Sequence, residues 1–250
     1  MDLTPIVTAL RQAQHVVVFT GAGASAESGI PTFRDALSGL WARFDATKLA
    51  TAEAFRADPS LCWGWYEWRR RKVLQAQPNA AHQAIAQLAR HVPRLTVITQ
   101  NVDDLHERAG SAGVIHLHGS LHAPRCLDCG QPYRAALPSA ALAEGGCRIE
   151  PPRCAACQGY VRPGVVWFGE PLPEAQWAAA LDAAQGCDLL LSVGTSGLVY
   201  PAAELPLQAL RCRATVAHIN PQRFAVSAQA YFLQGAAGAV MAALLAQAFA

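Results

Sequence analysis

A run of β-branched and aromatic residues, His15-Val-Val-Val-Phe-Thr20, passes without a break into Gly21-Ala-Gly23. This feature limits the fold more than any other. The run has no polar alternation, so both of its faces must be covered, as in a strand inside a parallel sheet. Glycines directly after such a strand make a tight turn into a helix. Four further short apolar runs read as strands: Leu95–Thr99, Gly113–Leu117, Leu189–Val193 and Thr215–Ile219. Helical spacing covers Asp2–Gln14, Asn79–Arg90 and Glu174–Gln185, and the alanine-rich Gly235–Ala250 reads as a buried closing helix. Strands alternating with helices predict an α/β chain with a parallel sheet.

Two stretches break the alternation. Asp35–Val73 is helical and aromatic, with Trp41, Phe44, Trp63, Trp65, Tyr66 and Trp68, and Ala123–Val161 is loop-like and rich in cysteine. They are expected to form a smaller lobe. The core would then comprise residues 1–34, 74–122 and 162–250, with a helical insertion at 35–73 and a zinc-ribbon-like insertion at 123–161. Both insertions leave the core near strand ends, where α/β folds place their sites.

Composition excludes several classes. The 250 residues are 52% hydrophobic and 15% charged, which no disordered chain is. Lys and Arg number 20 against 18 Asp and Glu, a net charge of +2, so there is no dense basic face for nucleic acid. Residues 1–14 lack the basic start and apolar core of a signal peptide. The most apolar stretches, His15–Thr20 and Asp188–Val193, are far short of the ~20 residues of a membrane span. The expectation is a cytoplasmic protein with no nucleic-acid or membrane partner, monomeric in preference to oligomeric.

In a reducing compartment, paired cysteines point to metal or redox work rather than disulfides. Cys126-Leu-Asp-Cys129 and Cys154-Ala-Ala-Cys157 are two identical pairs separated by 24 residues. Four thiolates close a tetrahedral zinc site and leave no position for a substrate, so one Zn2+ here is structural. Cys62, Cys147, Cys187 and Cys212 stand outside this spacing.

The glycine turn reads Gly21-Ala-Gly23-Ala-Ser25-Ala26-Glu27-Ser28-Gly29. Small residues there let the backbone approach a pyrophosphate, although a tight turn without a ligand would look the same. A hydride-transfer enzyme would place an acidic residue about 20 positions later, at the end of a second strand. Here Ala26 replaces the third glycine, and helical sequence follows Ile30-Pro-Thr-Phe-Arg34-Asp35. After the second strand comes Thr99-Gln100-Asn101-Val102-Asp103-Asp104, whose amides and carboxylates suit a carboxamide, a sugar hydroxyl or a water. Farther on lies His116-Leu-His118-Gly119. Histidine is the usual general base near neutral pH. Strand alternation puts His116 and His118 on one face, so spacing does not choose between them.

Taken in order, these motifs resemble the sirtuin family of NAD-dependent protein lysine deacylases, and specifically its bacterial members. The matching segments are Gly21–Arg34, Thr99–Asp103, His116–Gly119, both cysteine pairs, Arg162-Pro-Gly-Val-Val-Trp-Phe168-Gly169-Glu170, Gly194-Thr195-Ser196 and Asn220-Pro221. The resemblance implies a Rossmann-type NAD domain with a small zinc-and-helix lobe, and it points to His118 as the base. It gives Gly21, Ala22, Gly23, Ser25, Glu27, Ile30, Thr32, Phe33, Arg34 and Trp41 to the NAD-binding loop region. Gln100, Asn101, Val102 and Asp103 would hold nicotinamide and its ribose. Gly194, Thr195, Ser196, Asn220 and Ala237 would hold the adenosine half. Val165, Val166, Trp167, Phe168 and Gly169 would offer a backbone edge to which an acylated-lysine protein substrate adds as an extended strand. The chemistry implied begins with attack of the acyl oxygen on the ribose carbon that bears nicotinamide. His118 then takes a proton from a ribose hydroxyl, and hydrolysis frees lysine and 2′-O-acyl-ADP-ribose.

Tyr66 and Arg69 are three apart and share one face of a helix. Arginine grips a carboxylate bidentately, and a tyrosine hydroxyl adds a third bond. By spacing alone this reads first as a solvated basic face with aromatic core contacts. With the resemblance it looks like the marker of the subclass that removes succinyl and malonyl groups (class III). Protein ADP-ribosyl transfer from the same NAD site, a mainly acetyl-directed enzyme and a non-catalytic NAD-sensing module are the competing readings.

Overall fold

The computed structural model describes residues 2–31, 45–137 and 146–249. Its strands are β1 (His15–Thr20), β2 (Arg94–Thr99), β3 (Ile115–His116), β4 (Gly119–Cys126), β5 (Val161–Val165), β6 (Leu189–Val193), β7 (Thr215–Asn220) and β8 (Tyr231–Gln234). The α-helices are α1 (Thr4–Gln12), α2 (Gly23–Ala26), α3 (Ala46–Leu49), α4 (Ala52–Ala57), α5 (Pro59–Gln75), α6 (Ala80–Leu88), α7 (Leu105–Arg108), α8 (Glu174–Gln185), α9 (Leu205–Arg211) and α10 (Ala237–Phe249).

Six strands form one sheet in the order β3-β2-β1-β6-β7-β8, and every neighbouring pair is parallel. Without the separate β4-β5 pair, this is the 3-2-1-4-5-6 order of a Rossmann fold. All six residues of β1 are buried. Val16 and Val18 point into a core with Ile6 and Leu10 of α1, Ile85 and Leu88 of α6, and Met241 and Leu244 of α10. Val17 and Phe19 point the other way, onto Ala180 and Ala184 of α8 and Leu205 and Ala209 of α9. Each fully buried large side chain of this kind contributes roughly 1.5–3 kcal/mol. The strand order reverses between β1 and β6, and there the sheet opens a crevice at the strands' C-terminal ends.

A second lobe has its own core. Phe55 of α4 and Trp65, Tyr66 and Trp68 of α5 pack with Leu121, Val161, Val165 and Trp167. Helix α5 starts where the Asp58 carboxylate accepts the Leu61 N–H at 3.0 Å, a side-chain N-cap. It has no polar stripe between Leu61 and Trp68 because every residue there is buried. Helix α6 opens on a capping box in which Asn79 accepts from Ala81 and His82, and His82 Nδ1 accepts the Asn79 N–H.

The strand expectations needed three corrections. Gly113–Leu117 is a strand only at Ile115–His116. The β4-β5 pair is antiparallel with an irregularity between Ser120 and Arg125. Part of it, residues 123–126 and Val161, falls within the stretch expected to be a loop, and Pro124 is unusual inside a strand. Strand β8, a short sheet edge with two exposed residues among four, was not anticipated. Among the described residues, no helix is long and apolar enough to cross a membrane.

Candidate active site

The turns after β1 and β6 lean on each other. Gly21 N donates to Val193 O at 3.0 Å, and Gly23 N donates to Gly194 O at 2.9 Å. A Cβ on Gly23 would lie 2.7 Å from Gly194 Cα. Gly194 has φ +63, and its Cβ would lie 2.3 Å from Ala24 N. Glycine is therefore required on both sides by backbone approach. From the end of β7, Asn220 Nδ2 donates to Thr195 O at 2.9 Å and braces the second turn.

Above these turns lies a cavity of about 560 Å3, within the usual size of a ligand site. Its floor is Gly21, Ala22, Gly23, Gly194, Thr195, Ser196 and Asn220. One wall carries Ser25, Ile30, Gln100, Asn101, Val102, Asp103 and His118, and the small lobe supplies Tyr66, Arg69 and Val165–Gly169. Segments far apart in the chain thus meet in one space. Glu27 and Ala237 do not line it. The Glu27 carboxylate instead accepts the Gly238 N–H at 2.7 Å, in the first turn of α10, where a helix offers unpaired donors. Thr32, Phe33, Arg34 and Trp41 lie outside the described residues. Leu198, Val199, Tyr200 and Pro201, with Trp65, Trp68 and Lys72, line the cavity without having been singled out.

The polar wall is a buried network. Ser25 Oγ donates to Asp103 Oδ2 at 2.9 Å and accepts from Asn101 Nδ2 at 3.0 Å. The Leu105 N–H donates to Asp103 Oδ1 at 3.2 Å. Burial raises the Asp103 carboxyl's pKa, against those two hydrogen bonds. Thr99 Oγ1 accepts the Asn101 N–H at 3.0 Å and the Thr20 hydroxyl at 2.8 Å, so the strand ends themselves hold this loop.

The two candidate histidines separate. Strand β3 ends at His116, so strand alternation does not extend to His118. His118 lines the cavity, and its Nδ1 lies 3.1 Å from Gln100 O. A carbonyl only accepts, so Nδ1 carries the proton and Nε2 keeps its lone pair. Burial pushes the His118 pKa below 6.5, and the Gln100 contact opposes it in part. His116 points to α7, with Nδ1 3.2 Å from Asn101 O and Nε2 2.6 Å from Glu107 Oε1.

On α5, Tyr66 is buried and Arg69 half-buried, and both face the cavity. The Arg69 guanidinium sits 5.0 Å from the centre of the Trp65 ring. Burial lowers its pKa, while Tyr66 and the Asp103 carboxylate favour its charge. Arg70 is engaged elsewhere, bound to Glu67 with Nη2–Oε2 at 2.7 Å. The basic run on this helix is therefore not one uniform solvated face.

Beside the pocket, the segment after β5 is held from several sides. Val166 N donates to His118 O at 2.8 Å, Phe168 N to Ala50 O at 2.9 Å, and Trp167 N to Glu170 Oε2 at 2.9 Å. Arg162 Nη2 bridges Glu170 Oε2 and Val165 O at 2.9 and 2.8 Å, and its guanidinium lies 3.4 Å from the centre of the Trp167 ring. Exposed Phe168, Leu198 and Tyr200 give the cavity apolar lining at its mouth.

Away from the cavity, the sulfurs of Cys126, Cys129, Cys154 and Cys157 all lie within 4.8 Å of one another. The Cys126–Cys157 and Cys129–Cys154 separations are 3.4 and 3.7 Å. A tetrahedron of Zn–S bonds near 2.3 Å has edges of about 3.8 Å, so the donor set fits zinc. None of the four lines the cavity.

A nucleotide-type α/β core, a cysteine-closed small lobe, and a half-buried histidine in the cleft between them define a class of enzyme that binds a dinucleotide without the ribose acid of a dehydrogenase. The Sir2 family model matches residues 21–201, and the chain belongs to that family. It is 61% identical over 241 residues to an NAD-dependent protein deacylase of Methylococcus capsulatus, covering 96% of this chain and 94% of that one. It is 61% identical over 245 residues to NAD-dependent protein deacylase 1 of Pseudomonas aeruginosa, covering 98% of each. Among solved structures, a Sir2 homologue in complex with NAD superposes with a TM-score of 0.88 at 44% identity, over 99% of this chain and 94% of that one. A Sir2 complex with a p53 peptide and NAD+ does so with a TM-score of 0.83 at 28% identity, over 99% and 98%.

Proposed function

We propose that this Sir2-family enzyme, an NAD-dependent protein deacylase, removes succinyl and malonyl groups from lysine side chains and accepts acetyl-lysine as well. The observation that carries the acidic-acyl reading is the placement of Tyr66 and Arg69 together on the cavity wall, where the Asp103 carboxylate also acts on the Arg69 charge. A carboxylate at the end of an acyl chain would meet a guanidinium and a phenol there, and an acetyl group would meet neither.

NAD supplies a ribose carbon that becomes electrophilic as nicotinamide leaves. The residues do the rest. The glycine turns let backbone approach the dinucleotide. Asn101 and Asp103, tied to each other through Ser25, hold the nicotinamide ribose. His118 Nε2 takes the proton of a ribose hydroxyl. Ala22, Ile30 and Val102 keep the reacting centre dry. The substrate peptide lies along Val165–Gly169, with Phe168, Leu198 and Tyr200 flanking it. The cysteines hold a structural Zn2+ that takes no part in the chemistry.

The test is mass spectrometry of one peptide in succinylated and acetylated forms, each incubated with enzyme and NAD. Faster succinyl loss with succinyl-ADP-ribose formed is the expected result. Faster acetyl loss overturns the acidic-acyl reading. NAD consumption with ADP-ribose attached to an acceptor replaces deacylation by ADP-ribosyl transfer.

A further inference from the structure

His116 stands between two groups that only accept hydrogen bonds. Its Nδ1 faces the Asn101 carbonyl at 3.2 Å, and its Nε2 faces the Glu107 carboxylate at 2.6 Å. A neutral imidazole has one N–H, so both contacts are made together only by the imidazolium. The charges around it agree. Glu107 of α7 and Asp103 of the loop after β2 both favour the cation. His106, also on α7, is kept neutral by burial, with its pKa pushed down to about 3. Asp104 is directed instead to Arg108 and His122, at 3.7 and 3.6 Å. Helix α8 also packs on β3; its titratable residues are Glu174 and Asp182, and neither is among the groups that act most on His116. Burial alone would push the His116 pKa down, but Glu107, the Asn101 carbonyl and Asp103 together outweigh it and the net shift is upward.

The carbonyl that His116 holds belongs to the residue whose side chain completes the polar wall. Asn101 passes from its backbone O, through its side chain, to Ser25 and Asp103. We propose that His116, as an imidazolium, is a positioning residue that holds the Gln100–Asp103 loop in its working geometry, so that turnover needs His116 protonated while His118 is neutral. The turnover half of this proposal rests on the deacylase reading; the positioning half does not.

Two measurements test it. The first follows His116 by 15N NMR of its imidazole across pH, together with the backbone amides of Asn101 and Asp103. The second is the pH profile of kcat/KM for an acylated peptide, in wild type and in Glu107→Gln. His116 is expected to titrate above 6.5, with the Asn101 amide shifting at the same midpoint. Wild-type kcat/KM should fall about tenfold beyond that midpoint, the size of one lost charged hydrogen bond. In Glu107→Gln the amide donates to a neutral Nε2 while Nδ1–H keeps the Asn101 carbonyl. That variant should stay active and lose the alkaline limb. An unmoved alkaline limb in Glu107→Gln, or an Asn101 amide indifferent to His116, overturns the proposal. If no peptide is deacylated at any pH, the deacylase reading fails, and the Asn101 shift still decides the positioning role.

Discussion

The Nδ1 of His118 lies 3.1 Å from the carbonyl oxygen of Gln100, a group that can only accept its proton. That contact sets the tautomer and leaves Nε2 with the free lone pair that the proposed base needs. Burial lowers the pKa, so the neutral form persists below pH 6.5. The acid limb of kcat/KM should therefore have its midpoint under 6.5. His118→Ala should cost 10²–10⁴-fold in turnover, the usual worth of a positioned base, without changing zinc content or thermal melting. Normal turnover in that variant would remove His118 from the chemistry.

Arg69→Met keeps an apolar stem of similar reach and deletes the fork, together with its contact over the Trp65 ring. Succinyl-lysine hydrolysis should weaken by on the order of 2–4 kcal/mol in kcat/KM, because a charged group loses its buried partner. Acetyl-lysine hydrolysis should change little. Paired kinetics on the two peptides decide it, since equal losses would mean that α5 had merely been loosened.

Gly194→Ala tests the floor of the cavity. Its positive φ costs a side chain roughly 1–3 kcal/mol, and the new Cβ meets the Ala24 amide as well. At about 2–4 °C per kcal/mol for a chain of this size, melting should drop by at least several degrees. NAD affinity, read by calorimetry, should fall with it because the Gly21–Ala24 turn has to move. Unchanged affinity would show that the two turns do not act as one surface.

Cys126→Ser removes one of four zinc ligands. Metal content by mass spectrometry should drop from one equivalent, and the melting temperature should fall. Full zinc loading at unchanged stability would refute the structural role. His118 is remote from these sulfurs in the fold, so residual turnover should follow the surviving folded fraction.

What was legible in the sequence depended on how local each cause is. The central strands β1 and β6 were plain, because burial on both faces leaves an unbroken apolar run. The paired cysteines were equally plain, because each pair supplies its ligands from one turn. The contact of Glu27 was hidden for the opposite reason: its partner, the Gly238 N–H, is 211 positions away, and no local pattern announces it. Strand spacing could not choose between His116 and His118; only the resemblance to the sirtuins did. The choice turns on where β3 stops and on Glu107 of a four-residue helix. Leu198–Pro201 drew no notice because nothing in that segment carries chemistry by itself. It reaches the cavity only through the fold.

The mutual contact of the Gly23 and Gly194 turns also bears on the order of assembly. β1 meets β6 only after the intervening chain, including the whole small lobe, has been looped out, and pairings of such sequence separation form slowly. Until they form there is no floor for a dinucleotide to rest on. NAD should then bind only the completed core and draw the folding equilibrium toward it by mass action. In a cell with ample NAD, the co-substrate would act as a late-stage stabiliser of newly made chains.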